Sequence, residues 1–96
     1  MISSKQRSYL RGLANTLEPI FHVGKNGIDD PFIKQVIDAL EARELIKLKV
    51  LNNSGITARE ASDIICEEIE CEGVQAIGSI FVLYKKSKNK PKIELP

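Results

Sequence analysis

The chain has 96 residues, of which 43% are hydrophobic and 28% charged, and its formal net charge is +1 at pH 7. This length and balance are typical of one soluble globular domain with a modest core, and they exclude an intrinsically disordered chain. The net charge is too small to indicate nucleic-acid binding, so such a role depends on where the charges lie. The first residues lack an apolar leader and the longest apolar run, at 80–84, has five residues. We therefore expect a cytoplasmic protein without membrane contact.

The charges are segregated along the chain. Positions 5–11 carry three basic residues and no acid, positions 57–72 carry six acids and one base, and positions 85–92 carry five lysines and no acid. A polarised charge distribution can orient an anionic partner on one side of a molecule. We interpret the acidic run as solvated surface.

The first predicted element is a helix over residues 4–17. Ser3 and Gln6 have the spacing of a capping box at its start. Pro19 stops the helix and is followed by a predicted strand over 20–23. The apolar stripe of this helix consists of Leu10, Leu13, Ala14 and Leu17.

A second helix is predicted from Asp30 as the N-cap and Pro31 as the first helical residue. It ends near Arg43 or Glu44. One face carries its apolar residues, which are Phe32, Ile33, Val36, Ile37 and Leu40.

The clearest strand is predicted over residues 45–51. Its apolar residues alternate with Lys47 and Lys49, so one face of the strand is buried and the other is basic. The two lysines either contact phosphates or only keep an open face or an edge soluble. The sequence leaves both interpretations open.

A third helix begins at a second capping box, Thr57 with Glu60, and ends at Gly73. Two strands, 74–77 and 80–84, follow as a hairpin with a two-residue turn. The strand–helix–strand connections favour parallel pairing and the hairpin adds an antiparallel pair. We therefore predict an α/β fold: a single compact domain in the order α-β-α-β-α-β-β, with helices packed on a four-stranded mixed sheet.

The two cysteines, Cys66 and Cys71, lie five residues apart on the predicted third helix. An α-helix would place them about 140° apart around its axis. We therefore expect two unpaired thiols in a reducing compartment that neither bond to each other nor share a metal.

A glycine loop connects the first strand to the second helix and consists of Gly24, Lys25, Asn26 and Gly27. Glycines let a ligand backbone approach closely, the lysine supplies a positive charge, and a following helix aims N–H groups at the same place. The alternative is a turn in which glycine and asparagine only permit the bend. Asp29 and Asp30 come next, and as helix caps they compete with a phosphate for those N–H groups.

Catalytic residues are scarce. His22 is the single histidine, and the chain has no nucleophile elbow, no metal-ligand spacing and no nucleotide phosphate loop. We expect no enzyme activity, no catalytic residue, no metal and no cofactor.

Several segments together resemble a known family. They are KQRSYLR at 5–11, VGKNGI at 23–28, ELIKLKV at 44–50, QAIG at 75–78, LY at 83–84 and PKIELP at 91–96. With these segments in this order, nearly the whole chain resembles the YhbY family, the bacterial stand-alone form of the CRM RNA-binding domain.

The resemblance implies a fold similar to the C-terminal domain of translation initiation factor three. It implies RNA binding and association with precursors of the large ribosomal subunit during assembly. The glycine loop of the family, which resembles the backbone-clamping loop of KH domains, carries over to Gly24, Lys25, Asn26 and Gly27. The basic positions of the first helix carry over to Lys5, Arg7 and Arg11.

The combined prediction is a monomeric RNA-binding module whose partner is ribosomal RNA of large-subunit precursors. Residues 1–86 are predicted to form the CRM-type RNA-binding domain, and 87–96 an extended C-terminal tail. Further candidate RNA contacts are Lys47, Lys49, Lys85 and Lys86. The alternative is a protein–protein adaptor that uses the acidic third helix or the C-terminal tail.

Overall fold

A four-stranded mixed sheet with helices on both faces organises the chain, in a computed structural model that describes residues 2–96. The elements are α1 (Ser4–Ala14), β1 (Pro19–Val23), α2 (Asp30–Arg43), β2 (Leu45–Val50), α3 (Ala58–Ile69), β3 (Glu72–Ile77) and β4 (Ile80–Tyr84). The strand order is β1-β2-β4-β3, with β1 and β2 parallel and the other two pairs antiparallel. The predicted fold class and element order are confirmed.

The alternation of side chains along the strands produces two separate cores. Ile46, Leu48 and Val50 pack with α2 and α3 on one face of the sheet. Leu45 points to the opposite face, where it packs with Leu10 of α1. We call these the α2/α3 face and the α1 face. Because side chains along a strand point to opposite faces with a period of two, Lys47 and Lys49 belong to the α1 face.

Both predicted capping boxes are present. The Ser3 hydroxyl accepts from the Gln6 N–H at 3.1 Å, and the Thr57 hydroxyl accepts from the Glu60 N–H at 3.1 Å. The end of the first helix was predicted wrongly, since α1 stops at Ala14 rather than at residue 17. Asn and Thr, which favour turns over helix interiors, follow Ala14 in the sequence. Leu13, predicted to be in the core, lies within α1 but is 37% exposed.

The predicted N-cap of the second helix was wrong by one residue. Asp29 is the cap, and its carboxylate accepts from the Phe32 N–H at 2.9 Å. Pro31 still lies in the first turn of α2, where a backbone N–H would have no acceptor within the helix, so the lack of this group in proline costs no hydrogen bond. The helix ends at Arg43 as predicted, but Ile37, assigned to the apolar face, is 47% exposed.

The corner between α3 and β3 differs most from the prediction. α3 ends at Ile69 and Glu70 adopts a left-handed conformation with φ 54°, so the chain reverses before Cys71. Gly73 lies within β3 instead of ending the helix. The reversal brings the sulfur atoms of Cys66 and Cys71 to 3.4 Å. The prediction that these thiols stay apart was wrong, because it assumed helical rotation as far as residue 71.

Residues 85–96 contain no helix or strand, yet two glutamates of the α2–β2 corner bind them. Glu44, which is fully buried, accepts from the backbone N–H groups of Ser87 (2.8 Å), Lys92 and Ile93 (2.8 Å). Glu41 accepts from the Ser87 hydroxyl at 2.6 Å. The end of the chain then reaches α1, where Ile93 packs against the core of the α1 face.

Candidate nucleic-acid interface

The glycine loop follows β1 at the end of the sheet where the parallel strands β1 and β2 terminate. Gly27 N–H donates to the Gly24 carbonyl at 2.9 Å, which closes a four-residue turn with Lys25 and Asn26 exposed at its tip. Gly27 has φ 68°, a conformation that favours glycine. A Cβ added to Gly24 would make only ordinary contact, 3.6 Å from Leu51 Cδ1. The turn geometry therefore requires glycine at 27 and not at 24.

The start of α2 lies just beyond this loop, but one of its free N–H groups is already occupied. Asp29 accepts from Phe32 N–H, and Asp30 adds a second negative charge in the first turn. A phosphate at this helix end would meet two carboxylates. The loop tip, with Lys25, offers the more favourable electrostatic environment for an anion.

Two other turns lie beside the loop at the same end of the sheet. Leu51 N–H donates to the Val23 carbonyl at 2.8 Å, and Val50 N–H donates to the Ser79 carbonyl at 2.7 Å. We call the surface formed by residues 24–27, 51–55 and 78–79 the loop end. It is an exposed, largely polar border made by three consecutive neighbours in the sheet.

A row of residues crosses the α1 face next to the loop end. His22 lies beside Lys49, Lys49 beside Ile80, and Ile80 beside Ile77. His22 and Lys49 are exposed, and Ile77 is 65% exposed. The row spans three strand spacings, or about 14 Å. It presents a cation and an apolar side chain on one open surface that α1 leaves uncovered.

Lys47 lies one step further from the loop end, where it pairs with Val82 of β4. It is half-buried, whereas Lys49 is exposed. Both lysines therefore share the α1 face with the open row, and Lys49 is the more accessible of the two.

Arg7 and Arg11 lie across the sheet from the glycine loop, beside the edge strand β3. Together with Arg59 of α3 they line a groove of about 650 Å³ that follows β3 from Gly73 to Ile77. We call this the arginine groove. It reaches the α1-face row at Ile77, so the arginines and Lys49 border one continuous surface.

The two arginines of α1 differ in availability. Arg7 Nε donates to the Gly73 carbonyl at 3.2 Å, and its Nη2 is 3.9 Å from the Glu72 carboxylate. Arg11 is exposed in the last turn of the helix. Arg11 is therefore the better placed of the two to bind an incoming anion, while Arg7 also holds β3 against α1.

Three other candidates lie apart from this surface. Lys5 is exposed about 120° around α1 from Arg11, so the two project in different directions. Lys85 and Lys86 follow Tyr84, which pairs with Leu45 at the far end of the sheet from the glycine loop. Lys85 Nζ donates to the Ile69 carbonyl at 3.1 Å, which directs it towards the α2/α3 face.

The acidic residues of α3 lie mainly on the other side of the molecule. Glu60, Glu67 and Glu68 are exposed on a helix that packs on the α2/α3 face. An anionic partner is therefore attracted to the α1 side and repelled from α3. Asp63 is the exception, because it reaches the arginine groove and lies 3.8 Å from Arg59.

Some features of the site had no clear sequence signal. Arg59 lines the groove because α3 packs beside β3, and the thiol pair depends on the reversal at Glu70.

Across residues 2–96, no group of three or more potential ligands from His, Cys, Asp and Glu is placed to hold a metal ion. The same stretch contains no helix with the length and apolar character needed to cross a membrane.

The sequence resemblance implied an α/β domain with a glycine loop and basic positions on its first helix, and the structure contains each of these features. The sequence model of the CRS1 / YhbY (CRM) domain matches residues 2–85, and the chain belongs to this family. A Bacillus subtilis (strain 168) protein, named probable RNA-binding protein YqeI, is 46% identical over 96 residues and both chains are covered completely.

Two further relatives support the assignment. A Haemophilus influenzae protein named RNA-binding protein is 38% identical over 95 residues, covering 99% of this chain and 95% of its own. A hypothetical protein from Staphylococcus aureus, solved in solution, has the same fold with a TM-score of 0.79 and 43% identity, and each chain is covered completely.

Proposed function

We propose that this protein binds RNA through the loop end, the open row of the α1 face and the arginine groove. The observation that carries the proposal is that exposed cations from three elements, Lys25, Lys49 and Arg11, border one surface while the acids of α3 lie mainly on the other side. The relatives that are named RNA-binding proteins support it.

The RNA contacts are assigned by position. Lys25 and Asn26 at the loop tip contact the sugar-phosphate backbone, and the turn that Gly24 and Gly27 close lets that backbone come near. Lys49 neutralises a phosphate over the sheet. The half-buried Lys47 lies on the same face, one step further from the loop end. Arg7 and Arg11 extend the surface along the arginine groove. Lys5, Lys85 and Lys86 are peripheral contacts at most, since they point elsewhere.

Recognition depends on backbone and shape more than on base identity. Base-stacking platforms need exposed aromatic side chains, and the chain has few. Phe81 and Tyr84 are buried in the two cores, and among the Phe and Tyr side chains of the described residues only Tyr9 is exposed, at 44%. Ile77 supplies an apolar surface for a ribose or a base face beside the cations.

The target that we propose is ribosomal RNA in precursors of the large subunit, bound by a cytoplasmic monomer that assists assembly and catalyses no reaction. The family resemblance supports this target. Residues 1–86 carry the RNA surface, and 87–96 form an extended tail that lies against Glu41, Glu44 and α1. The tail thus supports the domain at the end of the sheet opposite to the glycine loop.

Sedimentation on a ribosome gradient at low magnesium tests this target. We expect the tagged protein in fractions of large-subunit precursors and expect a Lys25→Ala/Arg11→Ala variant to remain at the top. The matched control is Lys90→Ala/Lys92→Ala, which removes the same charge from exposed tail residues and should sediment like the wild type. Wild-type protein at the top of the gradient would contradict binding to these particles.

A protein adaptor is the second candidate, and one observation favours it. Ile64 is 45% exposed among the acidic residues of α3 and offers a protein partner an apolar contact there. An Ile64→Lys variant separates the two functions: it should lose a protein partner that survives complete nuclease treatment, while RNA binding stays unchanged. Loss of the partner on nuclease treatment would assign the association to RNA instead.

A further inference from the structure

Two thiols meet at the corner between α3 and β3. Cys66 lies in the last turn of α3 and is half-buried, and Cys71 is buried just before β3. Their sulfur atoms are 3.4 Å apart, with the Cys71 thiol donating to the Cys66 sulfur. Neither the RNA surface nor the family assignment gives this pair a role.

The two thiols are chemically unequal. The hydrogen bond from Cys71 lowers the pKa of the Cys66 thiol against the opposing effect of burial, and the Ser62 hydroxyl lowers it further. The carboxylates of Glu72 and Asp63 act in the other direction, but the net pKa of Cys66 is lowered. The pKa of Cys71 is raised, first by that same hydrogen bond and then by burial. Cys66 is therefore the better nucleophile, because the thiolate is the reactive form.

The nucleophilic sulfur is also accessible. Cys66 lines the arginine groove, which is open to solvent along β3. Gly73 stands beside it: a Cβ there would lie 3.8 Å from the Cys66 sulfur and 3.0 Å from the Ser62 hydroxyl. Glycine at this position keeps space above the sulfur that a small oxidant can enter. Cys71 is buried and does not line the groove.

The backbone already has the reversal that a bond between the two sulfurs needs. Glu70 holds the left-handed conformation that folds Cys71 back on the helix. A disulfide has an S–S length of about 2.05 Å, so the sulfurs must approach by roughly 1.3 Å from their separation of 3.4 Å. Four residues lie between the cysteines, so the loop that the bond closes is short.

We propose that Cys66 and Cys71 are a redox-active pair that hydrogen peroxide converts to a reversible intrachain disulfide. The Cys66 thiolate attacks a peroxide oxygen, the O–O bond breaks, and Cys66 becomes a sulfenic acid while one water forms with a solvent proton. The Cys71 sulfur then attacks the Cys66 sulfur, the S–S bond forms, and the leaving hydroxide takes the Cys71 proton as a second water. Two thiols are oxidised and one peroxide is reduced.

Hydrogen peroxide is the probe for the test, applied to the full-length protein with wild type, Cys66→Ser and Cys71→Ser compared. Alkylation followed by cleavage after glutamate separates the two cysteines, since glutamates lie between them. In the wild type we expect both thiols to be lost together, one peptide pair joined by a disulfide, and recovery of both thiols with dithiothreitol. Circular dichroism of both serine variants establishes that they fold.

The two variants distinguish the roles of the sulfurs. Cys71→Ser should accumulate a sulfenic acid at Cys66 that dimedone traps, and Cys66→Ser should react several-fold more slowly. Wild-type thiols that stay alkylatable at peroxide levels that oxidise free cysteine would overturn the proposal. So would disulfides that form only between two chains, or equal reaction rates in the two variants. None of these readouts depends on RNA binding.

Discussion

Removing the carboxylate of Glu44 should release the C-terminal tail and destabilise the domain. Glu44 is fully buried and accepts three backbone N–H groups from residues 87–93. Each buried N–H left without a partner costs about 1–3 kcal/mol. The tail can detach and let water satisfy these groups, so the loss is limited to the packing of the tail and the bonds to the carboxylate. We expect Glu44→Ala to lower the free energy of unfolding by about 2–4 kcal/mol.

For a domain of this size that loss corresponds to a fall of roughly 10–25 °C in Tm. Glu44→Gln keeps one acceptor oxygen and should lose about half as much. The assay is thermal and urea unfolding followed by circular dichroism, with Glu67→Ala as the control because Glu67 is an exposed acid on α3. A Glu44→Ala protein whose Tm lies within about 2 °C of the wild type would refute the reasoning.

The buried carboxylate of Glu44 also predicts that the stability of the domain depends on pH. Burial acts to raise the pKa of Glu44, but the N–H groups of Ser87, Lys92 and Ile93 outweigh it and the net pKa is lowered. A carboxyl whose pKa is lower in the folded state stabilises the fold above its unfolded pKa of about 4.3 and loses this contribution as pH falls through the folded value. The stability gap between wild type and Glu44→Gln should therefore be constant above pH 5 and narrow below about pH 4. A gap that stays constant in acid would contradict the role of the ionised carboxylate.

Two further predictions concern local structure. Gly27→Ala forces a side chain into φ 68° and should cost about 1–2 kcal/mol in urea unfolding, whereas Gly24→Ala, whose Cβ meets Leu51 Cδ1 at 3.6 Å, should be near neutral. Equal losses at both glycines would contradict the assigned turn. Leu10→Ala should cost about 2–5 kcal/mol because Leu10 is fully buried, while Leu13→Ala should cost well under half of that since Leu13 is 37% exposed. A larger loss at Leu13 would show that α1 packs in another orientation.

Sequence reasoning succeeded where structure depends on neighbouring residues. The capping boxes at Ser3 and Thr57 and the alternation along β2 are local patterns, and each was found where predicted. Alternation also placed Lys47 and Lys49 on the face opposite to Ile46, because the period of a strand leaves no other choice.

Sequence reasoning failed where a single residue with a positive φ redirected the chain. Glu44 at φ 65° and Glu70 at φ 54° are both non-glycine residues with a positive φ, which propensity does not predict. The first creates the buried carboxylate that binds the tail, and the second creates the thiol pair. Contacts between distant segments, such as that of Glu44 with Ile93, are likewise beyond a local pattern.

In the candidate site, too, the sequence predicted individual residues but not how they are arranged in space. The glycine loop and the basic positions of α1 could be chosen from the sequence, but their arrangement could not. Only the sheet order reveals that the loop and the arginine groove lie on opposite edges, joined by the row that contains Lys49. The same order sets Lys85 and Lys86 at the far end, although they looked equivalent to Lys47 and Lys49 in the sequence.

The most direct test of the proposed RNA surface is the salt dependence of binding to purified large-subunit ribosomal RNA. Each lost phosphate contact lowers the slope of log K against log salt by roughly 0.7–0.9, so Lys25→Ala/Arg11→Ala should flatten it by about 1.4–1.8 and weaken binding. The control Lys90→Ala/Lys92→Ala, which carries the same change in charge, should keep the wild-type slope. Equal slopes for the wild type and Lys25→Ala/Arg11→Ala would contradict the account. So would a Lys90→Ala/Lys92→Ala protein whose slope falls as much as that of Lys25→Ala/Arg11→Ala.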